Sequence, residues 1–251
     1  MATDLQGAGA RVEHSPDKGR CYDLGMPQIT EGASQTSNLS QSQGDYLKAL
    51  YHLEAGEPVA GSQLAERLGV SPASATEMLA KLVAQGLVTH ERYRGAALTA
   101  EGRRSALALI RRHRLVETFL VRMLGYTWDE VDAEADRLEH VVSQRMEERM
   151  FEALGRPEVD CHGDPIPSPE GTITDIRHPS LLEALPGEHH TVRRVSDADP
   201  GRLRLIDELG LRPGVTVVVL RESAYEGPLL VRAEDREVEV PLGAARGVFV
   251  A

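Results

Sequence analysis

The stretch DAEADRLEH, residues 132–140, sets Asp132, Asp136, Glu139 and His140 at relative positions 0, 4, 7 and 8. At about 100° per residue this spacing gathers all four on one stripe of an α-helix. Three carboxylates crowded beside an imidazole repel one another unless something positive sits among them. Upstream, RRHRLVETFL places His113 and Glu117 at i and i+4, again on one helical face. If the two helices pack antiparallel, five or six ligands converge between them, and their hard oxygens and imidazole nitrogens suit a divalent cation. Two blander readings stand beside that one. The stripe is also what the solvated face of an amphipathic helix looks like, and Arg137 is placed to neutralise it without metal. A metallohydrolase using Glu139 as base finds little support, because there is no HExxH run and no second histidine four residues from His140.

Composition narrows the class of protein. The 251 residues are 41% hydrophobic and 27% charged, ordinary for a soluble globular chain. No apolar run approaches the ~20 residues that span a bilayer, and the N-terminus lacks a signal-peptide core, so a cytoplasmic location without a membrane partner is expected. Cys21 and Cys161 are far apart with no CxxC, so neither a disulfide framework nor a zinc knuckle is suggested, and two unrelated thiols in poorly structured segments are expected. The net charge of −11 argues at first against nucleic acid. Counted by segment it is −2 over 1–40, zero over 41–104 (seven basic, seven acidic), −6 over 105–180 and −3 over 181–251. The acidity therefore concentrates around the stripe, where bound cations could cancel part of it.

The elements that must position these residues follow from periodicity. Residues 1–43 read as a disordered extension. From 44 to 104 the order is helix, short helix, a tight GVS link, helix and hairpin, which is a winged helix-turn-helix. Ser71 is an N-cap candidate; Ser71, Ser74 and Thr76 near the start of the third helix can reach bases or phosphates. Lys81, with Arg92 and Arg94 in the wing, supplies phosphate contacts to double-stranded DNA. The competing reading is a metal-independent winged-helix module that docks protein. Two long helices follow, roughly 100–124 and 129–154, in a helical region taken as 105–160, and pairing with a second copy is the economical way to bury their apolar faces. Residues 161–180 read as a Pro/Gly-rich linker, and 181–251 as several short strands with one helix, a small SH3-like barrel. The fold class is mainly α with a β C-terminal domain.

In this order, the stretches DYLKALYHLE, LAERLGVSPASATEMLAKLVAQGLV, RRHRLVETFL, EADRLEHVVS and HGDPIP resemble the DtxR/MntR family, the diphtheria-toxin-repressor-like metal-dependent regulators. The resemblance runs from about Asp45 to Ala251. It implies a homodimer that binds operator DNA when divalent metal is bound and shuts off metal-uptake genes. It assigns one metal site to Asp45, Asp136, Glu139 and His140. A second falls to His113, Glu117 and Asp132, with Asp197 or Asp199 of the SH3-like domain as added ligands. Iron-responsive members carry Met and Cys where this chain has Asp45 and Asp136, and oxygen-rich sets suit Mn(II), so manganese is expected over Fe(II). Lys48 stands where some manganese-binding relatives place glutamate, which speaks against a two-metal cluster of their kind.

Overall fold

The computed structural model describes residues 39–251 apart from 55, 92–93, 175 and 222–226. Most of the expected N-terminal extension, with Cys21, and the wing residue Arg92 lie outside the described residues.

Helix α1 (Gln41–Leu53) starts earlier than its apolar pattern predicts, inside the stretch expected to be disordered. Its beginning is set by a capping box: Ser40 Oγ accepts from the Gln43 amide at 3.3 Å, and Gln43 Oε1 accepts from the Ser40 amide at 2.9 Å. Helices α2 (Gly61–Arg67) and α3 (Pro72–Ala84) follow, then the antiparallel hairpin β1 (Val88–Glu91) and β2 (Gly95–Leu98). Leu47, Leu50, Leu64, Leu79 and Leu82 close their shared core without solvent exposure above 1%. This is the expected winged helix-turn-helix.

Helix α4 (Ala100–Phe119) is capped by Thr99 and runs into a π-helical turn, Leu120–Leu124, that Gly125 ends with φ of 74°. The second long helix, expected as one piece from 129 to 154, is two: α5 (Trp128–Leu138) and α6 (Gln144–Ala153). Ser143 caps α6 by accepting from the Met146 amide at 3.3 Å, and the β-branched pair Val141-Val142 before it favours helix poorly. Glu139 therefore caps α5 and His140 lies beyond its end. Met123, Leu124, Val141 and Met146 are exposed, an apolar set in the region where pairing with a second copy is expected.

The segment after α6 is not a loose linker throughout. Cys161, His162, Gly163 and Pro167 are buried. Asp160 Oδ1 accepts from the amides of His162 at 2.8 Å and Asp164 at 2.9 Å, closing a tight loop. The Val195 amide donates to the His162 carbonyl at 2.9 Å, so the loop is stitched to the C-terminal sheet. Gly163 has φ of 90°, and a Cβ there would fall 2.0 Å from the Arg193 carbonyl oxygen. Only glycine fits.

The C-terminal part is an antiparallel five-stranded sheet of order β6-β5-β4-β3-β7. Its strands are β3 (His189–Val195), β4 (Thr216–Arg221), β5 (Leu229–Ala233), β6 (Arg236–Val240) and β7 (Val248–Val250). Helices α7 (Pro200–Glu208) and α8 (Leu242–Ala245) cover its core of Val192, Val217, Val231, Val240 and Ile206. Among the described residues no helix is long and apolar enough to cross a membrane.

Candidate metal centre

Three groups of potential ligands assemble around α4 and the end of α5, and the partition differs from the one the resemblance implies. The first joins Asp45 of α1 to Glu139 and His140, with donor atoms all within 4.8 Å of one another. His140 Nε2 lies 3.1 Å from Asp45 Oδ1 and 3.2 Å from Glu139 Oε1. The break after α5 is what turns His140 back towards α1. Arg112 holds that break by donating from Nη1 to the Glu139 carbonyl at 3.0 Å. On the other side Gly44 lets α1 come close: a Cβ there would lie 2.9 Å from both His140 Cε1 and Leu109 Cδ1.

The second group is His113, Asp132 and Asp136, so Asp136 falls here rather than with Asp45. His113 Nε2 is 3.5 Å from Asp132 Oδ1, and Nδ1 is 3.4 Å from Asp136 Oδ1 and 2.6 Å from Glu139 Oε2. Glu139, whose side chain has 0% exposure, thus shows one oxygen to each group.

A positive charge set among these carboxylates comes from α1. Lys48 Nζ donates to Glu139 Oε2 at 2.7 Å, Glu139 Oε1 at 2.9 Å and Asp136 Oδ1 at 3.2 Å. Burial alone would lower the pKa of Lys48, but the charges and hydrogen bonds of Glu139 and Asp136 prevail and raise it. Burial likewise disfavours a charged His113, yet the carboxylates of Asp132, Glu117 and Glu139 around it hold its pKa well above the usual value. Glu139 answers in the opposite sense: burial pushes its carboxyl up, and His113 and Lys48 bring it below the ordinary range. Asp45 is raised by burial, with His140 only partly opposing. Arg137 instead pairs with Glu134 on the outer face of α5.

The third group takes Glu117 from the expected second site and adds two residues, Asp160 and His162, that the sequence reading did not name as ligands. Glu117 of α4 meets Asp160 and His162 of the tight loop, and all three are buried. Glu117 Oε1 is 3.4 Å from His113 Nε2 but accepts no hydrogen bond, an orphaned carboxylate oxygen in the interior. Burial first, then the charges of Asp164 and Glu117, lift the Asp160 pKa well above its ordinary value. An acid held this way against its neighbours fits a cation, and the donors throughout are oxygen and imidazole nitrogen. A signal for this group existed: DCHGD sets an acid and a histidine two residues apart around a glycine turn. Asp197 is exposed, and Asp199 is spent capping α7, accepting from the Arg202 amide at 2.8 Å. Neither joins a donor group among the described residues.

Of the expected DNA-reading side chains, Ser71, Ser74 and Thr76 stand at the start of α3, Lys81 in its last turn and Arg94 in the turn of the hairpin. Ser71 caps α3 by accepting from the Ser74 amide at 3.1 Å, and the two hydroxyls lie 2.8 Å apart. Thr76 donates back to the Pro72 carbonyl, while Lys81 and Arg94 are exposed and pair with their neighbours Glu77 and Glu91.

Three family models match successive parts of the chain: the iron-dependent repressor N-terminal DNA-binding domain over 38–96, the iron-dependent repressor metal-binding and dimerisation domain over 99–168, and the FeoA domain over 180–251. The iron-dependent repressor IdeR of Mycobacterium tuberculosis is 34% identical over 218 residues, covering 82% of this chain and 94% of the relative. The chain belongs to the DtxR family of iron-dependent repressors. The diphtheria toxin repressor of Corynebacterium jeikeium is 34% identical over 207 residues, 72% of this chain and 86% of its own. Among solved structures, a manganese-dependent transcriptional repressor in complex with manganese superposes with a TM-score of 0.72 at 41% identity, covering 83% of this chain and 99% of that one. Family membership makes this chain a metal-dependent, DNA-binding repressor rather than an enzyme, and it displaces both the hydrolase and the metal-independent adaptor. The family dimerises and binds operator DNA.

Proposed function

We propose that this chain is a Mn(II)-activated, dimeric repressor of metal-uptake genes, acting on operator DNA in the cytoplasm. The observation that carries the reading is Asp45. It is the one donor in the three groups contributed by the DNA-binding helices, and it meets His140 at 3.1 Å across the boundary with the helical region. A divalent cation held by Asp45, Glu139 and His140 would neutralise the carboxylates and tie α1 to the end of α5. The residues of this chain determine what that tie does. Asp45 fixes where α1 sits, α1 packs against α2 and α4, and the attitude of α3 follows through their common core. In a dimer, that attitude sets two recognition helices against successive major grooves, about 34 Å apart. Metal and DNA must then strengthen each other's binding reciprocally.

Manganese is favoured by the donors: six carboxylates and three imidazoles with no sulfur among them. Iron(II) is the second reading, and the iron-dependent repressors among the relatives support it. The test is operator binding with Mn(II), anaerobic Fe(II), Zn(II) and EDTA, for the wild-type chain and Asp45→Ala. Tightest binding with Mn(II), lost in a folded, dimeric Asp45→Ala, is expected. Metal-dependent binding that survives the substitution removes Asp45 from the site, and equal or better activation by Fe(II) overturns the choice of metal.

A further inference from the structure

Lys48 occupies ground that a metal ion's ligands would otherwise share. Its Nζ touches both oxygens of Glu139, from the first donor group, and lies 3.2 Å from Asp136 Oδ1 and 3.3 Å from His113 Nδ1, from the second. Its side chain is 16% exposed, so solvent screens it only in part. Asp45, Asp132, Asp136 and Glu139 bring four negative charges to the two groups, and once His113 gives up its proton, as ligation requires, Lys48 leaves three uncompensated. With both imidazoles neutral, one divalent ion leaves a single negative charge; a second would leave a positive excess of one. A cation entering either group must also draw Glu139 or Asp136 away from an ammonium already bonded to it, against direct charge repulsion over a few ångströms.

We propose that Lys48 sets the metal concentration at which this repressor responds, as a resident cation that competes for Glu139 and disfavours filling both adjoining groups at once. The inference rests on the metal reading above and adds the residue that tunes it. Lys48 stands three residues after Asp45 on α1, so the helix that carries a ligand also carries the competitor. Without metal, the ammonium holds α1 against α5. With metal, part of that contact must be exchanged for ligation.

The experiment titrates Mn(II) into the full chain by calorimetry, with metal content measured after dialysis, for wild type, Lys48→Met, Lys48→Gln and Lys48→Arg. Both neutral variants should bind the first Mn(II) about tenfold or more tightly, and retain more metal per chain. Lys48→Arg, which keeps the charge, should stay near wild type. In EDTA the neutral variants should melt earlier than wild type, with a larger rise on adding Mn(II). Unchanged or weaker Mn(II) affinity in folded Lys48→Met or Lys48→Gln overturns the proposal and leaves Lys48 as a strut. A wild-type chain that takes up no Mn(II) overturns the metal reading itself, and this inference with it.

Discussion

Replacing Gly44 by alanine tests whether α1 and His140 are held at a working distance. The added methyl would lie 2.9 Å from His140 Cε1 and from Leu109 Cδ1. Carbon atoms rest at about 3.5–4.0 Å, so the contacts must open by roughly half an ångström or more. Leu109 is buried on α4 with 3% exposure and has little room to yield, so α1 and the imidazole take up most of the shift. Overpacking of this size costs about 1–3 kcal/mol, and exchanging glycine for alanine inside a helix offsets about 1 kcal/mol of it. Net stability should therefore fall by no more than about 2 kcal/mol. Metal binding should suffer more, because Asp45 is the next residue and His140 is its partner; disturbing the groups that orient a ligand typically weakens affinity about 10–100-fold. Calorimetric titration with Mn(II) beside a thermal melt in EDTA separates the two effects. Gly61→Ala is the control, since a Cβ there meets nothing within 4 Å. Wild-type Mn(II) affinity in Gly44→Ala would refute the argument that this glycine permits the approach.

Two further outcomes concern the other groups. The raised pKa of His113 contributes stability that is fully present below the ordinary histidine value of about 6.5 and is lost as pH rises through the higher folded value. Urea midpoints in EDTA should thus decline towards alkaline pH, whereas Mn(II) affinity climbs over the same range because ligation requires His113 to lose its proton. A midpoint that rises with pH would contradict the cation assigned to His113. Gly163→Ala should destabilise the chain by about 2 kcal/mol or more, since both the positive φ and the Arg193 carbonyl exclude a side chain, and chemical denaturation measures it directly.

Much of this was legible in local patterns. The i, i+4 spacing of Asp132 and Asp136 does put both on one face of α5, and both face His113 of α4. The winged helix and the strands of the barrel follow from apolar period and turn residues. What escaped depends on distant partners. Lys48 on an amphipathic helix looks like solvated charge, and its ligands lie 88 and 91 residues away. The DCHGDPIP stretch has the composition of a linker, and only its packing against β3 makes it interior, which turned Asp160 and His162 into donors. The helix break before Ser143 was masked by the charge pattern, which continues across it.

Glu139 offers Oε1 to His140 and Oε2 to His113, and Lys48 grips both. A substitution there perturbs two neighbourhoods and their common counter-ion in one stroke, so a phenotype at Glu139 is ambiguous by construction. Asp45 and Asp132 each belong to a single neighbourhood, and a pair of mutants built on them would report occupancy of the two separately.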